Sequence, residues 1–460
     1  VTADHPVNLF TLLSTGMGLN VFEAGTDLCP ESICSGATYV SPERRRLDLL
    51  ADAAAIALHR IVPEPWAGGL PPVDLGWAHF WPSGRLDSGK PAPADRALVR
   101  FDRFLDRMAD YPRETLHFIH LHVPHLPWIR LPSGQRYESA EVYPHGLENQ
   151  LWIGSEWEML QAWQRHLLQV GLVDTLVGRL TARLRDLALD DETLLVITSD
   201  HGTSFRHRGL RRNLNRLNLT ELVNIPLFVR RPGGPAGKID ERNATTLDLL
   251  PTILASVGIE EPEGLAGRSL FGPPPQSDDK RTYRGGSRRT KRGIALSYRT
   301  ADLDRAELVE RVAGWFGAGD WRLVFRLSLR PELLDRSPDA LLSDEPPLEL
   351  VLRHGWGLAR FEPAADVLPI HLAGRLRGWS IEQDPVDLAI AVRGSIVATT
   401  RTFVAPGRAH RFTALLDPTR LEPGDNELRI FLVEGDANDP RLRATRLTRP
   451  RRRARRPGAC

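Results

Sequence analysis

The sequence predicts an α/β fold, a mostly parallel sheet flanked by helices, followed by a smaller C-terminal β-rich domain. Three observations carry this expectation. Apolar segments of strand length alternate with helix-length segments through residues 1–272, the pattern of a parallel sheet built from strand–helix–strand units. Two polar clusters, "HLHVPH" at 120–125 and "SDHG" at 199–202, sit where apolar runs end, and sites in such sheets form outside the carboxyl ends of the strands. Beyond Gly272 the chain changes character, to short strand-like runs separated by turns.

The elements follow in order. "HPVNLFTLLSTGMGLNVFEAG" reads as a helix over Asn8 to Ser14, a glycine-containing turn and a strand over Asn20 to Glu23. Residues 43–60 form an amphipathic helix pattern, 61–97 are rich in Pro, Gly and Trp and read as loops, and 97–110 are helical again. "ETLHFIHLHV" (114–123) is a strand stopped by Pro124. A long helix covers 157–188, with Leu and Val at helical spacing, and a strand over 193–199 follows directly. Residues 224–231 are a further strand and 244–259 a further helix. These segments make up an expected domain over 1–272. Residues 273–293 read as a Pro/Gly/Arg-rich linker, 294–440 as the β-rich domain and 441–460 as a basic, disordered tail.

Composition narrows the function. Hydrophobic residues make up 42% and charged residues 26%, which fits a globular protein with a sizeable core. A formal net charge of only +2 argues against a general nucleic-acid binder. Three cysteines cannot form a disulfide framework or a zinc finger. Cys29 and Cys34 either bridge locally outside the cytosol or remain two buried thiols. No apolar run reaches the roughly 18 residues of a membrane helix, and the given residues are not expected to include a signal peptide. The start at Val1, directly before helix-like sequence, leads us to expect a chain cut from a longer one.

Three clusters could carry chemistry. Asp200 and His201, a carboxylate beside an imidazole at a strand end, suit a hard or borderline divalent ion. Gly202 lets the backbone turn sharply there. The bland alternative is an Asp cap beside an unrelated His. His120 and His122 share one face of their strand, and His125 follows in the loop. A histidine there could protonate a leaving group or contact an anionic oxygen, or each could be structural. Arg206, His207, Arg208, Arg211 and Arg212 follow in "FRHRGLRRN". Such guanidinium groups suit a phosphate or sulfate ester; otherwise they form a solvated basic loop. The glycosylation-like triplets at Asn218 and Asn243 are discounted, because the pattern is common by chance.

Taken together the motifs resemble the alkaline phosphatase/sulfatase superfamily over residues 1–272. "TLLVITSDHG" resembles its second metal-binding signature, and "HVPHLPW" the His-Pro-His segment of the sulfatase-like branch. "NIPLFVRRPG", "TTLDLLPTILASVGI" and "LAGRSLFG" resemble the strand, helix and loop that close such domains. "HPVNLFTLLSTGMGLNVFEAG" resembles the segment just after the nucleophile. The nearest type is the bacterial sulfatase-like hydrolase or transferase, in which membrane helices precede an extracytoplasmic domain.

The resemblance implies roles residue by residue. Asp200 and His201 match the later metal ligands, and His122 the leaving-group acid or anion contact. His125 and Arg206 are the candidate substrate contacts. One or two divalent ions are implied, Mn, Zn or Mg rather than Ca, because an imidazole replaces an all-oxygen ligand. The implied substrate is a phosphate or sulfate ester, phosphoester or phosphoglycerol-type in preference, possibly lipid- or polymer-linked, and not nucleic acid. This chain departs from the family in its first element. The acidic first-strand ligands and the Thr, Ser or Cys nucleophile are absent from residues 1–40, so both are expected before residue 1, as are any membrane helices. The competing reading is a non-catalytic sulfatase-fold binding module at the cell surface. A cytosolic phosphomutase of the same superfamily fits the β-rich appendage less well.

Overall fold

The computed structural model describes residues 4–23, 26, 28–30, 32–34, 42–63, 70, 96–139, 143–234, 237–284, 294–317, 320–405 and 409–450. Most of the loop expected at 61–97 and the last ten residues lie outside them. Two compact units emerge, and neither is contiguous in sequence. The first holds 1–127, 176–204 and 212–305; the second holds 128–175, 205–211 and 306–460. The expected division fell at residue 272 instead. The helix Glu156–Asp186 is continuous, with residues up to Thr175 counted in the second unit and those from Leu176 in the first.

The first unit is the α/β part. Its opening helix, Leu9–Leu13, is short but well capped: Asn8 Oδ1 accepts from the N–H groups of Phe10 and Thr11, while Thr11 Oγ1 accepts from Asn8 N–H. The strand Gly18–Phe22 pairs in parallel with Thr115–Ile119, from Gly18 against Thr115 to Phe22 against Ile119. Alternation aims Leu19 and Val21 at one core, where Phe10 meets Phe118 edge-on at 5.0 Å. The opposite face puts Asn20 beside His117, and burial pushes the His117 pKa down to about 4. His117 is therefore a neutral structural histidine, and one of the four in "HFIHLHVPH" is explained without function. The helix Arg96–Arg107 buries Phe101, Phe104 and Leu105, and Phe104 meets Phe22 at 5.9 Å. The strand Leu195–Thr198 pairs antiparallel with Leu227–Arg230.

Cys29 and Cys34 form a disulfide, which resolves the alternative left open by the sequence. The bridge packs against Phe10 and Val21, and the Glu23 carboxylate accepts from the N–H groups of Leu28 and Cys29. The loop it closes is short, so chain-entropy reasoning limits its worth to about 2 kcal/mol. A Cys29→Ala/Cys34→Ala double variant should lose about that much in urea unfolding. An unchanged midpoint would mean that the Glu23 bonds and apolar packing suffice.

Two expectations of the sequence fail here. Within the expected linker, Asp279–Arg284 is a strand, paired antiparallel with Ile294–Arg299 from Asp279↔Arg299 to Arg284↔Ile294. Within the expected disordered tail, Arg441–Thr448 is a strand paired with two neighbours. Its Leu442 is fully buried, while Arg441 and Arg446 point to solvent.

The second unit is built on one eight-stranded sheet. Its order is Ser395–Arg401, Asp387–Val392, Leu428–Glu434, Arg441–Thr448, Leu348–His354, His371–Leu376, Ala409–Leu415, Phe403–Ala405. Neighbours pair antiparallel, except that Leu348–His354 runs parallel to Arg441–Thr448. Ala389, Ala391, Ile396, Phe431 and Leu442 form one of its cores. A helix that the sequence pattern does not announce, Arg305–Phe316, precedes its strands in the chain. Among the described residues no helix is long and apolar enough to cross a membrane.

Candidate active site

Two strand ends of the first unit deliver the site. After Thr198 the backbone turns through Ser199, Asp200, His201 and Gly202. Asp200 Oδ1 accepts from the His201 N–H at 2.9 Å, and Ser199 Oγ donates to the His201 carbonyl at 3.0 Å. Gly202 donates its N–H to the Leu222 carbonyl at 2.9 Å. A Cβ on Gly202 would stand 1.9 Å from the Glu221 carbonyl oxygen, so glycine is required here by close approach of another backbone segment. Ser204, fully buried, donates to the Glu221 carboxylate at 2.7 Å and fastens the turn to the helix Leu219–Val223.

This geometry sets the chemistry of His201. Its Nδ1 lies 2.7 Å from the Gly202 carbonyl. A carbonyl only accepts, so Nδ1 carries the hydrogen and the lone pair sits on Nε2. Nε2 in turn lies 3.6 Å from Asp200 Oδ2, a separation that two metal–ligand bonds of about 2.1 Å can span. The Asp200 side chain is largely exposed and that of His201 partly so. The pair therefore offers one oxygen and one nitrogen donor close enough to share a divalent ion. Among the described residues no group of three or more His, Cys, Asp or Glu side chains converges as a complete metal site. Asp200 and His201 contribute two side chains of ligand type.

At the other strand end, the His125 N–H donates to the His122 carbonyl at 2.6 Å, forming a tight turn. The rings of His120 and His122 meet edge-on at 5.7 Å. His122 is exposed to water over much of its surface. Enclosure of the rest lowers its pKa below the usual 6.5; His120 and Arg100 push the same way, and Asp200 opposes them. His122 thus lies within electrostatic reach of the Asp200 carboxylate. His125 Nδ1 faces the Leu126 carbonyl at 2.9 Å, which again leaves the lone pair on Nε2.

Arg212 joins the two clusters. Its Nη1 donates to His125 Nε2 at 2.8 Å and its Nη2 to His201 Nε2. The loop that carries it is braced by Asn215 and Asn218, each accepting a backbone N–H of the other's segment. Asn218 is almost fully buried and its amide donates to the Asn213 carbonyl, consistent with discounting the triplet there.

Four of the five sequence-predicted residues, His122, His125, Asp200 and His201, therefore fall in one unit. Three of them are linked by direct contacts and the fourth by charge. Arg206 is the fifth. It belongs to the second unit, where its fork makes a two-point ion pair with Glu307 at 3.1 and 3.2 Å. Within the first unit, the arginine in contact with His125 and His201 is Arg212. The sequence held it in the same basic run, but nothing in "FRHRGLRRN" ranks one guanidinium above another.

Residues 78–259 match the family model described as Sulfatase. A multifunctional alkaline phosphatase superfamily protein, PehA of Trinickia caryophylli, is 33% identical over 130 residues, covering 28% of this chain and 25% of that protein. An ulvan-active sulfatase of Formosa agariphila is 26% identical over 183 residues, 38% of this chain and 35% of the relative. Among solved structures, the phosphonate monoester hydrolase SpPMH of Silicibacter pomeroyi shows 22% identity and a TM-score of 0.30, over 51% of this chain and 52% of that one. The chain thus spans about a quarter to a third of the length of these two curated relatives.

Proposed function

We infer, for a chain that is a member of the alkaline phosphatase/sulfatase superfamily through its sulfatase domain, that the whole protein is a metal-dependent hydrolase or transferase of phosphate or sulfate esters. The observation that carries this is the meeting of Asp200, His201, His125 and Arg212 at two strand ends, with His122 close by. Asp200 Oδ2 and His201 Nε2 would hold a divalent ion, Mn, Zn or Mg. Such an ion polarises an ester oxygen and lowers the pKa of a hydroxyl nucleophile.

The chain's own residues supply the rest. The Gly202 carbonyl keeps the His201 ring in its ligating tautomer. Arg212 donates to an anionic ester oxygen, in place of the expected Arg206. His122 passes a proton to the departing alkoxide. The resemblance of the Asp-His pair to the phosphotransferase and phosphonate-hydrolase members of the superfamily supports a phosphoester or phosphoglycerol-type substrate over a sulfate ester. The Cys29–Cys34 disulfide supports an oxidising, extracytoplasmic compartment.

The test uses the full-length protein with an aryl phosphodiester and an aryl sulfate. The phosphodiester should turn over faster. Chelation, or Asp200→Ala, should lower both rates on the order of 1,000-fold, with added Mn restoring only the chelated wild type. Undiminished rates in Asp200→Ala would sink the assignment. Mn binding without turnover of either ester would instead indicate the cell-surface binding module.

A further inference from the structure

We propose that Arg212 and a divalent metal compete for one lone pair, that of His201 Nε2, so that loading the site releases the guanidinium. The inference rests on the reading of Asp200 and His201 as metal ligands.

A neutral imidazole has one N–H and one lone pair. In His201 the N–H is committed to the Gly202 carbonyl at 2.7 Å, and Arg212 Nη2 donates to the remaining lone pair on Nε2. That lone pair can accept a hydrogen bond or form a coordinate bond, but not both. His125 repeats the arrangement: its N–H goes to the Leu126 carbonyl at 2.9 Å, and its Nε2 accepts from Arg212 Nη1 at 2.8 Å. One guanidinium is thus held between two uncharged rings. This is an unusual use of a fork whose geometry matches carboxylates and other oxyanions.

A dication on Asp200 Oδ2 and His201 Nε2 would take the lone pair and repel the guanidinium. Nη2 must then leave, while Nη1 can stay on His125 as a pivot. The freed edge of the fork is then available to an oxyanion. Two consequences follow from linkage. The metal-free latch lowers apparent metal affinity by the fraction of molecules in which it is closed. An oxyanion that captures the released arginine must raise metal affinity by the same factor by which metal raises oxyanion affinity. His125 is in this account a positioning residue, which holds the pivot without touching the ion.

The experiment is calorimetric titration of Mn into the whole chain at neutral pH, with and without inorganic phosphate. Wild type is compared with Arg212→Met, Arg212→Lys, His125→Phe and Asp200→Asn. Loss of the charge-assisted bond should tighten Mn binding about tenfold in Arg212→Met. Arg212→Lys, which can reach only one ring, should gain less, and His125→Phe should gain about threefold by loosening the pivot. A merely structural role for His125 would weaken binding instead. Phosphate should tighten Mn binding in wild type and leave Arg212→Met unmoved. If Asp200→Asn weakens Mn binding while both Arg212 variants bind as wild type or worse, the latch is overturned and the metal site stands. If neither wild type nor Arg212→Met binds Mn, the metal reading falls and the latch with it.

Discussion

Gly202→Ala is expected to cost at least about 3 kcal/mol of stability, the upper end of what overpacking does. The reason is the partner that a new methyl would meet. A Cβ at 202 would stand 1.9 Å from the Glu221 carbonyl oxygen and 3.0 Å from its carbon. Both are main-chain atoms, so no rotamer change relieves the clash. Nor can the helix Leu219–Val223 retreat easily. Leu219, Glu221 and Leu222 are buried, Glu221 is fastened to buried Ser204, and the Gly202 N–H is bonded to the Leu222 carbonyl. Gly178 is the control. It sits in the long helix with nothing within 4 Å of the place a methyl group would take, so Gly178→Ala should gain about 0.5–1 kcal/mol from helix propensity alone. Urea unfolding followed by circular dichroism measures both. Equal midpoints for the two variants would show that the turn is not packed on residues 221–222, and with it would go the fixed direction of Asp200 and His201.

The local features around these candidate residues were partly legible beforehand where each had a local cause. An apolar run ending in Asp-His-Gly predicts a strand that delivers polar groups to a sheet end, and Leu195–Thr198 does so. The strand expected over 114–123 stops at Ile119, so His120 and His122 lie beyond it and their expected shared strand face is not what places them. What was not legible depended on distance along the chain. The second unit draws residues 128–175 and 205–211 from the middle of the α/β pattern, and periodicity carries no signal of tertiary partition. The strand Arg441–Thr448 was hidden by its own arginines, whose solvent-facing positions masked the inward Leu442. The choice between Arg206 and Arg212 depended on Glu307, about a hundred residues away from Arg206. A basic run shows that guanidinium groups are present, whereas their partners decide which one is available.

His122→Ala in the full-length protein is expected to lower turnover about 100- to 10,000-fold, the range for loss of a general acid, and to do so unevenly. An ester with an alkyl leaving group needs the proton and should bear nearly the whole loss; an activated aryl ester needs it little and should be least affected. The pH dependence has a defined sign. Burial, with help from His120 and Arg100, holds the His122 pKa below 6.5. The imidazole is then mostly neutral at pH 7, and its acid form grows only as pH falls through that lowered value. Turnover of the alkyl ester should rise as pH falls below 6.5 in wild type, and His122→Ala should lack this rise. A flat wild-type profile, with equal losses for alkyl and aryl esters, would remove the proton-transfer role. It would leave His122 as a neutral hydrogen-bond donor to an anionic oxygen. The two roles ask different things of the same burial: a general acid works against a lowered pKa, whereas a neutral donor is produced by it, and the leaving-group series separates them.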